Sequence, residues 1–415
     1  MSENPLATEA QRRIEDRAMA LLERDDLRRT RDAVAMLWKT VTAWPVADQA
    51  DRFDAMIEEY MFHNAMRAAN GDANDPHAIR FMAPEHHWFG RHVPGSRWGG
   101  DSPDFIYRTI PVAHGGRFEI RGRATCADPP TVNYSLMSDN TASPVTQQLL
   151  DSLDMEIASD GSFVITVDDS PANSRPNHIQ TRPGSDFIMV RDALGDWATQ
   201  SANALDVTRL DPAGPALGED AMAAHCDRIA RDLVYYSYYV TRTGYTQAPN
   251  HVREPRSAGA YGGMASQYGC KGYLWLDEDE AFLVRCNAAG AQFRNLVLTD
   301  AFHLSLEYWN RTASFNNGQM APDEDGTYTF VVARRDPGVH NWLDTCTLRR
   351  IQFGCRWQAF VRGEAHEEPW MTGRLVKLDQ LERELPEGVR RLDAGGREAQ
   401  RADRESGFAR RFVDV

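Results

Sequence analysis

Several features that define common protein classes are missing from the sequence. Its apolar runs all fall well short of the ~18 residues that a membrane-spanning helix needs, and its first residues lack the basic and then apolar pattern of a signal peptide. Its 46 basic residues are outnumbered by 60 acidic residues, and no basic cluster offers a surface to nucleic acid. We therefore expect an acidic cytoplasmic protein that binds neither nucleic acid nor membranes.

Cysteine pairs and nucleotide-binding loops are also absent. The six cysteines are scattered and include no Cys-x-x-Cys pair, which indicates free thiols rather than a disulfide frame or a zinc knot. The sequence has no Gly-x-Gly-x-x-Gly after a strand, no Walker loop and no Gly-x-Ser-x-Gly elbow. These absences remove the usual sites for nicotinamide, flavin and ATP and the commonest serine hydrolases. We therefore expect no cofactor.

The residues that are present indicate several structural regions. With 415 residues, of which 42% are hydrophobic, the chain is long enough for two or three domains. Apolar residues at three- and four-residue spacing in residues 1–80 predict two or three amphipathic helices. From Pro84 onward, short β-prone runs alternate with turn residues, and Phe302–Trp309 is one of the strands that this pattern predicts. One amphipathic helix interrupts the pattern between Gly218 and Thr243. Residues 373–415 mix both charge signs with few large apolar groups, which predicts a solvated helix and tail.

The sequence also contains an internal duplication. Phe118-Glu-Ile-Arg121 matches Phe282-Leu-Val-Arg285, which lies 164 residues later. The other matches, at nearly the same offset, are Asp160-Gly-Ser-Phe163 with Asp325-Gly-Thr-Tyr328, Pro176-Asn-His-Ile179 with His340-Asn-Trp-Leu343, and Arg191 with Arg356. An ordered series of this kind predicts two copies of one β-module. The Asp-Gly pairs are predicted hairpin turns, because Gly tolerates a positive φ.

The predicted fold class follows from this duplication. We expect an α+β protein, mainly β, with an N-terminal helical region followed by two tandem antiparallel β-sandwich or jelly-roll-like modules and a helix between them. The predicted boundaries are 1–80 for the helical region, 81–212 for the first module, 213–250 for the connecting helix, 251–372 for the second module and 373–415 for the charged tail. Two such modules create a crevice, where we expect a ligand pocket.

The second copy resembles a known bacterial family. Asp336-Pro-Gly-Val-His-Asn-Trp-Leu-Asp-Thr345, with Leu276-Asp-Glu-Asp-Glu-Ala-Phe-Leu-Val284 before it, resembles the signature of domain of unknown function 1214. The first copy, with Trp98-Gly-Gly-Asp-Ser-Pro-Asp-Phe-Ile-Tyr107, resembles the region that usually precedes that domain. The resemblance covers residues 85–365; it implies β-sandwich modules and no agreed activity. This chain has Cys346-Thr-Leu348 where relatives commonly continue with Gly-His.

The densest group of imidazoles is Glu85-His86-His87 followed by His92. Histidine and carboxylate side chains are ligands for Zn, Fe or Mn. The spacing fits no familiar zinc motif, and two flanking prolines predict a loop. Ordinary exposed or hydrogen-bonding histidines are the favoured interpretation, and a metal or acid–base role is the alternative.

The predicted helix near residue 230 has a polar face opposite its apolar stripe. Tyr235 and Tyr239 lie on that face, and His225 is near the start of the helix. A helix between two sandwiches could line a pocket with these phenols, which could donate protons to a substrate oxygen. The favoured interpretation, however, is that the tyrosines pack against the sheets with their hydroxyl groups in solvent.

Two carboxylates, Asp104 and Asp344, are candidates for acid–base chemistry, because a partly buried carboxylate can be tuned towards neutral pH. Asp101 and Asn341 are predicted to form turns instead. The aromatic and basic side chains predicted to bind substrate are Trp98, Tyr107, Arg108, Tyr235, Trp309 and Trp342.

The residue types and the missing cofactor motifs favour a cofactor-independent enzyme of bacterial secondary metabolism. It would perform elimination, isomerisation or hydrolysis on a hydrophobic oxygenated small molecule, such as a terpenoid, steroid or aromatic metabolite. The predicted catalytic residues are His86, His87, Asp104, His225, Tyr239 and Asp344. One alternative is a non-catalytic carrier of an apolar ligand, and another is a metal-dependent enzyme that uses the loop Glu85–His92. A homodimer is the expected assembly, since it is the commonest one.

Overall fold

The computed structural model describes residues 4–42, 47–140, 142, 144–245, 248–261, 264, 266–361 and 363–413. It confirms a mainly β protein with helices on its N-terminal side. The helices are α1 (Glu9–Leu22), α2 (Asp25–Thr42), α3 (Phe53–Ala69), α4 (Glu219–Tyr245), α5 (Leu381–Glu384) and α6 (Ala394–Ala409). Among the described residues, none of these helices combines the length and the apolar character needed to cross a lipid bilayer.

The N-terminal helices form one layer together with the connecting helix. The hydroxyl of Thr8 accepts a hydrogen bond from the Gln11 amide and so caps the start of α1. Helix α1 packs on α3, and both α2 and α3 pack on α4. Because each helix buries an apolar stripe against its neighbours, the two or three predicted helices and the connecting helix share a core.

Residues 79–209 form the first β-module. Its strands are β1 (Ile79–Phe81), β4 (Phe105–Pro111), β5 (Phe118–Arg123), β6 (Thr131–Ser138), β7 (Thr146–Asp151), β8 (Ser162–Asp168), β9 (His178–Gln180), β10 (Ser185–Ala193) and β11 (Ala204–Arg209). The inner sheet has the order β1-β4-β10-β6-β7, and the outer sheet has the order β11-β5-β8-β9. A separate hairpin consists of β2 (His86–Trp88) and β3 (Arg91–Val93).

Residues 251–377 form the second β-module. Its strands are β12 (His251–Val252), β13 (Arg256–Ser257), β14 (Tyr268–Trp275), β15 (Glu280–Cys286), β16 (Phe293–Thr299), β17 (Ser314–Asn316), β18 (Tyr328–Ala333), β19 (Trp342–Asp344), β20 (Arg350–Gln358) and β21 (Met371–Lys377). The inner sheet has the order β12-β14-β20-β16-β17, with β13 also on β14, and the outer sheet has the order β21-β15-β18-β19.

The two modules have the same strand order in both sheets, which confirms the predicted duplication. In each module the outer sheet ends in one parallel pair, β8 with β9 and β18 with β19, so the sandwiches are not purely antiparallel. Gly161 and Gly326 take φ values of 80° and 78°, as predicted for the Asp-Gly turns. These turns lead from the inner to the outer sheet, however, and do not join hydrogen-bonded neighbours as a hairpin would.

The inner sheets of the two modules contact each other at a seam. Gln358 on β20 donates to Asn133 on β6 at 2.5 Å. The rings of Phe105 and Phe293, on β4 and β16, lie 5.2 Å apart. Helix α4 contacts β14. Both sandwich cores lie between an inner and an outer sheet, so the seam is a separate, more polar contact.

One prediction about the second half of the chain is wrong, and another is incomplete. Phe302–Trp309 forms turns, because this run packs between α3 and the loop before β4, and its one bridge joins Ser305 to Thr299 at the end of β16. The predicted charged tail does contain a helix, and most of its residues are exposed, but it also packs against both modules. It contributes β21 to the outer sheet, and α6 and the turn after it bury Arg404 and Arg411. These arginines donate to main-chain carbonyls in both modules, which charge composition alone could not reveal.

Candidate functional site

The hairpin β2–β3 separates the residues that were predicted as a metal or acid–base cluster. The exposed rings of His87 and His92 lie 5.5 Å apart, and His92 Nε2 is 3.6 Å from a Glu85 oxygen. His86 points elsewhere: its ring packs on Phe412, and burial lowers its pKa to about 3. Within the described part of the chain, no group of three His, Cys, Asp or Glu side chains is arranged to hold a metal ion. The metal alternative therefore finds no support here.

Asp104, a predicted acid–base residue, ties the two modules together. It is fully buried, and its carboxylate accepts hydrogen bonds from Trp197 Nε1 at 2.9 Å, Asn316 Nδ2 at 2.9 Å and Asn295 Nδ2 at 2.8 Å. Burial raises the pKa of Asp104, and these donors oppose that effect. Because both oxygens are occupied by protein donors, we assign Asp104 a structural role.

Three other predicted site residues also find their partners inside the protein. Asp344 accepts from Arg311 Nε at 2.8 Å. Trp342 is buried and donates from Nε1 to a main-chain carbonyl at 3.0 Å. Arg108 makes two hydrogen bonds, of 2.8 and 2.9 Å, with Asp192 inside the first sandwich. Hydrogen bonds of this kind stabilise the fold, although Arg108 Nε has no partner among the described residues, and the catalytic and substrate-binding roles of these positions stay predictions.

The predicted residues of helix α4 do not converge on one point. Tyr235 is 61% exposed, and the side chain of Tyr239 lies outside the described residues. His225 lines a small cleft with Arg67 and Asp186, beside the end of β4. Burial lowers the pKa of His225 to about 4, although the Asp186 carboxylate opposes this shift.

The seam does bring chemically active side chains together, in two matched rows. Across β4, β10 and β6 of the first module, the register partners are Tyr107, Arg191 and Asn133. Across β14, β20 and β16 of the second module, they are Gly269, Arg356 and Asn295. The duplication therefore places Arg356 where the first module has Arg191, as the sequence alignment predicted. Gly269 occupies the position of Tyr107.

The second row leaves open space. Among the described residues, a Cβ atom built on Gly354 would meet no atom within 4 Å, and one built on Gly269 would meet only a carbonyl oxygen at 3.8 Å. Lys271 is the register partner of Gly354 and is exposed, although β14 lies within the sheet. We call this space the seam cleft. The residues that define it are Tyr107, Arg191, Gly269, Lys271, Gly354 and Arg356.

The seam cleft has three cationic side chains and no carboxylate that pairs with them. Arg191 Nη1 donates to the Ser135 hydroxyl at 2.8 Å and lies 3.9 Å from the sulfur of Met264. Arg356 Nη2 donates to a main-chain carbonyl at 3.0 Å, and its Nη1 has no partner. Among the described residues, the ammonium group of Lys271 has neither a hydrogen-bond partner nor an ion-pair partner, although its main-chain carbonyl accepts from the Arg253 amide at 3.3 Å. Such cations are available to an anionic group of a ligand.

The shifts in pKa show that these groups influence each other. The side chain of Lys271 reaches solvent in the cleft, yet desolvation by the protein around it and the positive charges of Arg356 and Arg253 together lower its pKa to about 8. Burial also lowers the pKa of Arg191; nearby Tyr107 opposes this shift and Arg356 adds to it. The pKa of Tyr107 is raised by burial, although both seam arginines lower it. At neutral pH the cleft therefore holds a phenol and closely spaced positive charges.

A histidine completes this side of the cleft. The pKa of His303 is lowered well below its usual value, first by burial and then by Lys271 and Arg356. Its main-chain carbonyl accepts from the Gly100 amide at 2.7 Å, which fixes the loop before β4. Its φ of 68° is in the left-handed region, and its Nδ1 has no partner. His303 is therefore a neutral imidazole next to the cations.

Of the predicted substrate-binding residues, Tyr107 and Trp98 lie at this seam. Trp98 Nε1 donates to the Ser237 hydroxyl of α4 at 2.8 Å, and its ring is 5.7 Å from that of Tyr236. Tyr236 is in turn an electrostatic neighbour of Arg191. Trp309 packs instead against Phe408 of α6, with ring centroids 6.3 Å apart.

Sequence reasoning missed Lys271 and His303. The chain has only three lysines, Lys39, Lys271 and Lys377, against many more arginines. A lysine flanked by glycines in a β-prone segment, Gly269-Cys-Lys-Gly272, is unusual, and Gly within a strand often marks a close approach or a ligand. That signal could have identified Lys271. No signal in the sequence indicated His303, because its position depends on a turn in the segment that the sequence pattern predicts to be a strand.

The comparisons with known proteins support the fold but give no information about function. No model of a known protein family matches the chain, and no curated protein matches it. An uncharacterized protein from Burkholderia cenocepacia is similar in structure, with a TM-score of 0.72 at 22% identity over 88% of this chain and 99% of that one. A protein from Vibrio parahaemolyticus has a TM-score of 0.42 at 10% identity over 78% of this chain and 98% of that one. The first similarity shows a shared fold; the family resemblance and the homodimer stay predictions.

Proposed function

We propose that the seam cleft binds a small oxygenated molecule that carries a negative charge, and that the chain performs acid–base chemistry on it without a cofactor. One observation supports this most: Arg191, Arg356 and Lys271 lie on the seam faces of the inner sheets, Gly354 leaves open space beside Lys271, and none of the three cations has a carboxylate partner among the described residues. Cations gathered without counter-charges inside a protein are costly unless an anion neutralises them.

The side chains around these cations favour a particular kind of ligand. Tyr107 and the thioether of Met264 offer apolar surface beside Arg191, and Trp98 and Tyr236 border the same region. We expect the arginines to bind the anionic group and these residues to contact the carbon skeleton. The ligand is thus expected to be more polar than a terpenoid or a steroid.

Acid–base chemistry is supported by the titration range of the cleft. Lys271, with a pKa of about 8, can exchange a proton near neutral pH, and Tyr107 keeps its proton because burial raises its pKa. A neutral amine and a phenol beside two fixed cations form a base and an acid next to groups that stabilise negative charge. Elimination and isomerisation next to a carboxylate need these components.

The test is thermal unfolding with a panel of small carboxylates and organic phosphates, followed by incubation of every stabilising compound with the protein and NMR detection of product. Arg356→Gln should weaken binding about 10–100-fold, the usual effect of losing a charged hydrogen bond. Arg285→Gln, on the outer sheet at an ion pair with Asp325, is the matched control and should bind normally.

Two results would contradict the proposal. If Arg356→Gln bound every stabilising anion as well as the Arg285→Gln control, the cleft would not be the ligand site. If ligands bound in the cleft but no product formed, the chain would be a carrier, and the acid–base part of the proposal would be wrong.

A further inference from the structure

We propose that Lys271 is a nucleophile that forms a Schiff base with the carbonyl group of an aldehyde or ketone bearing a carboxylate or a phosphate. This inference rests on the proposed function, because it uses the same cleft. It goes further by naming the substrate class and the covalent bond. The argument depends on where β14 places the lysine and on which groups surround it.

The first step is the position of the amine. Lys271 lies on the seam-facing side of β14, since the neighbouring Cys270 points into the sandwich core. Its register partner Gly354 has no side chain and leaves space for a ligand next to the lysine. Lys271 is exposed to this space and has no described partner that would hold its ammonium group. The amine can therefore approach a bound carbonyl carbon.

The second step is the charge that surrounds the amine. The charged or titratable groups that influence Lys271 or are influenced by it are Arg356 on β20, Arg253 between β12 and β13, and His303 in the loop after β16. Two of the three are cations, and the histidine is neutral. A lysine desolvated beside other cations keeps a large fraction of neutral amine, which is the form that attacks carbonyl groups.

The third step is the orientation of the substrate. A carboxylate or a phosphate bound by Arg356 and Arg191 would hold the adjacent carbonyl group close to the seam face of β14. The same cations would attract such a substrate and would give neutral aldehydes no comparable attraction. The cleft therefore combines a nucleophile with arginines that can bind the anionic group of the substrate. Lys39 and Lys377 are expected to lack such an arrangement.

The chemistry balances without an added reagent. The Nζ lone pair attacks the carbonyl carbon and forms a C–N bond, while the C=O π electrons move to oxygen, which takes a proton. Nitrogen then loses a proton, the oxygen takes a second one and leaves as water, and a protonated imine with a C=N bond remains. Tyr107 is a phenol of the same cleft that can supply a proton to the oxygen, because burial keeps it protonated. Water reverses every step.

The test is reduction with borohydride, which converts the imine into a stable secondary amine, followed by peptide mass spectrometry. The probes are glyoxylate, glycolaldehyde phosphate and neutral glycolaldehyde, each at pH 8. With only three lysines in the sequence, every site can be quantified in one digest. We expect adduct at Lys271 to exceed adduct at Lys39 and at Lys377 about tenfold or more with an anionic probe.

Two arms distinguish the source of the anionic group. Preference for glyoxylate would indicate an oxo acid as substrate, and preference for glycolaldehyde phosphate would indicate a sugar phosphate or a related compound. Neutral glycolaldehyde should label Lys271 less than either anionic probe does, because the lowered pKa favours all three probes and the arginines attract only the anionic ones. In Arg356→Gln the selectivity for Lys271 should fall about tenfold, whereas Arg285→Gln should keep it.

The inference and the proposed function fail in different ways. Equal labelling of all three lysines by glyoxylate and by glycolaldehyde phosphate would overturn the Schiff base. If these probes still stabilised the protein, and if Arg356→Gln abolished that stabilisation, the proposed anion-binding site would be supported although no Schiff base forms there. If Lys271 were labelled selectively but equally well by neutral glycolaldehyde, the anionic substrate class would be wrong.

Discussion

The two modules of this chain are alike in their cores and different where they face each other. Phe118 and Phe282, at matching positions in the duplication, are both fully buried in the sandwich cores. At the seam, in contrast, the first module has Tyr107 and Met189 at the positions where the second module has Gly269 and Gly354. A duplicated sheet must keep its packing on the inside, whereas its outer face is free to change. The site arises from that asymmetry.

The largest expected effect is the loss of stability when the Asp104 hydrogen bonds between the two modules are removed. Asp104→Ala would remove the acceptor of one buried N–H from each of Trp197, Asn295 and Asn316, although the two asparagine amides keep a second acceptor. We expect the free energy of unfolding to fall by about 3–5 kcal/mol, measured by urea denaturation. The control Asp206→Ala, at an exposed position on β11, should stay within about 0.5 kcal/mol of the parent protein. Equal effects of the two changes would show that Asp104 does not hold the modules together.

An intermediate effect is expected when the asymmetry of the seam is removed. Gly354→Met gives the second module the residue that the first module has at the matching position, Met189. Because a Cβ atom on Gly354 meets nothing within 4 Å, the fold should remain, while the added side chain fills the cleft beside Lys271. We expect anion binding to weaken at least about tenfold, and the melting temperature without ligand to stay close to that of the parent protein. Unchanged binding would mean that the ligand lies elsewhere.

The smallest expected effect is the pH dependence of stability that the lowered pKa of Lys271 causes. Lys271 has a pKa of about 8 in the folded protein, below the usual 10.5, so the unfolded chain binds more protons between these values. The contribution of Lys271 to the free energy of unfolding is therefore lowest below pH 8 and rises as the pH increases towards 10.5. Lys271→Met should be more stable than the parent protein at pH 7, and this advantage should shrink through that window.

This advantage can be measured by thermal unfolding over a pH series, with Lys39→Met as the control on α2. NMR of ¹³C-dimethylated lysines gives one signal for each of the three lysine side chains and should show a midpoint near 8 for Lys271. A midpoint near the usual lysine value would remove the acid–base role proposed for this residue.

The sequence predicted the architecture well and the site only in part. Repeated motifs locate strands, and in the sequence they align Arg191 with Arg356. The site was harder, because a carboxylate in a motif can serve a ligand or the fold. Asp104 and Asp344 looked like acid–base candidates, yet both are occupied by protein donors. Whether a carboxylate serves a ligand or the fold depends on contacts between residues about 200 positions apart, such as Asp104 and Asn295.

Helix α6 and the turn after it have a consequence for how the protein is made. Arg404 and Arg411 donate to main-chain carbonyls of Tyr308 in the second module and Pro103 in the first. The ribosome adds this segment after both modules that it joins. A nascent chain can therefore form its sandwiches early, but it carries unpaired carbonyls and an unfinished junction until α6 arrives. We expect chaperones to meet this protein mainly in that interval, as a chain whose halves are folded and not yet joined.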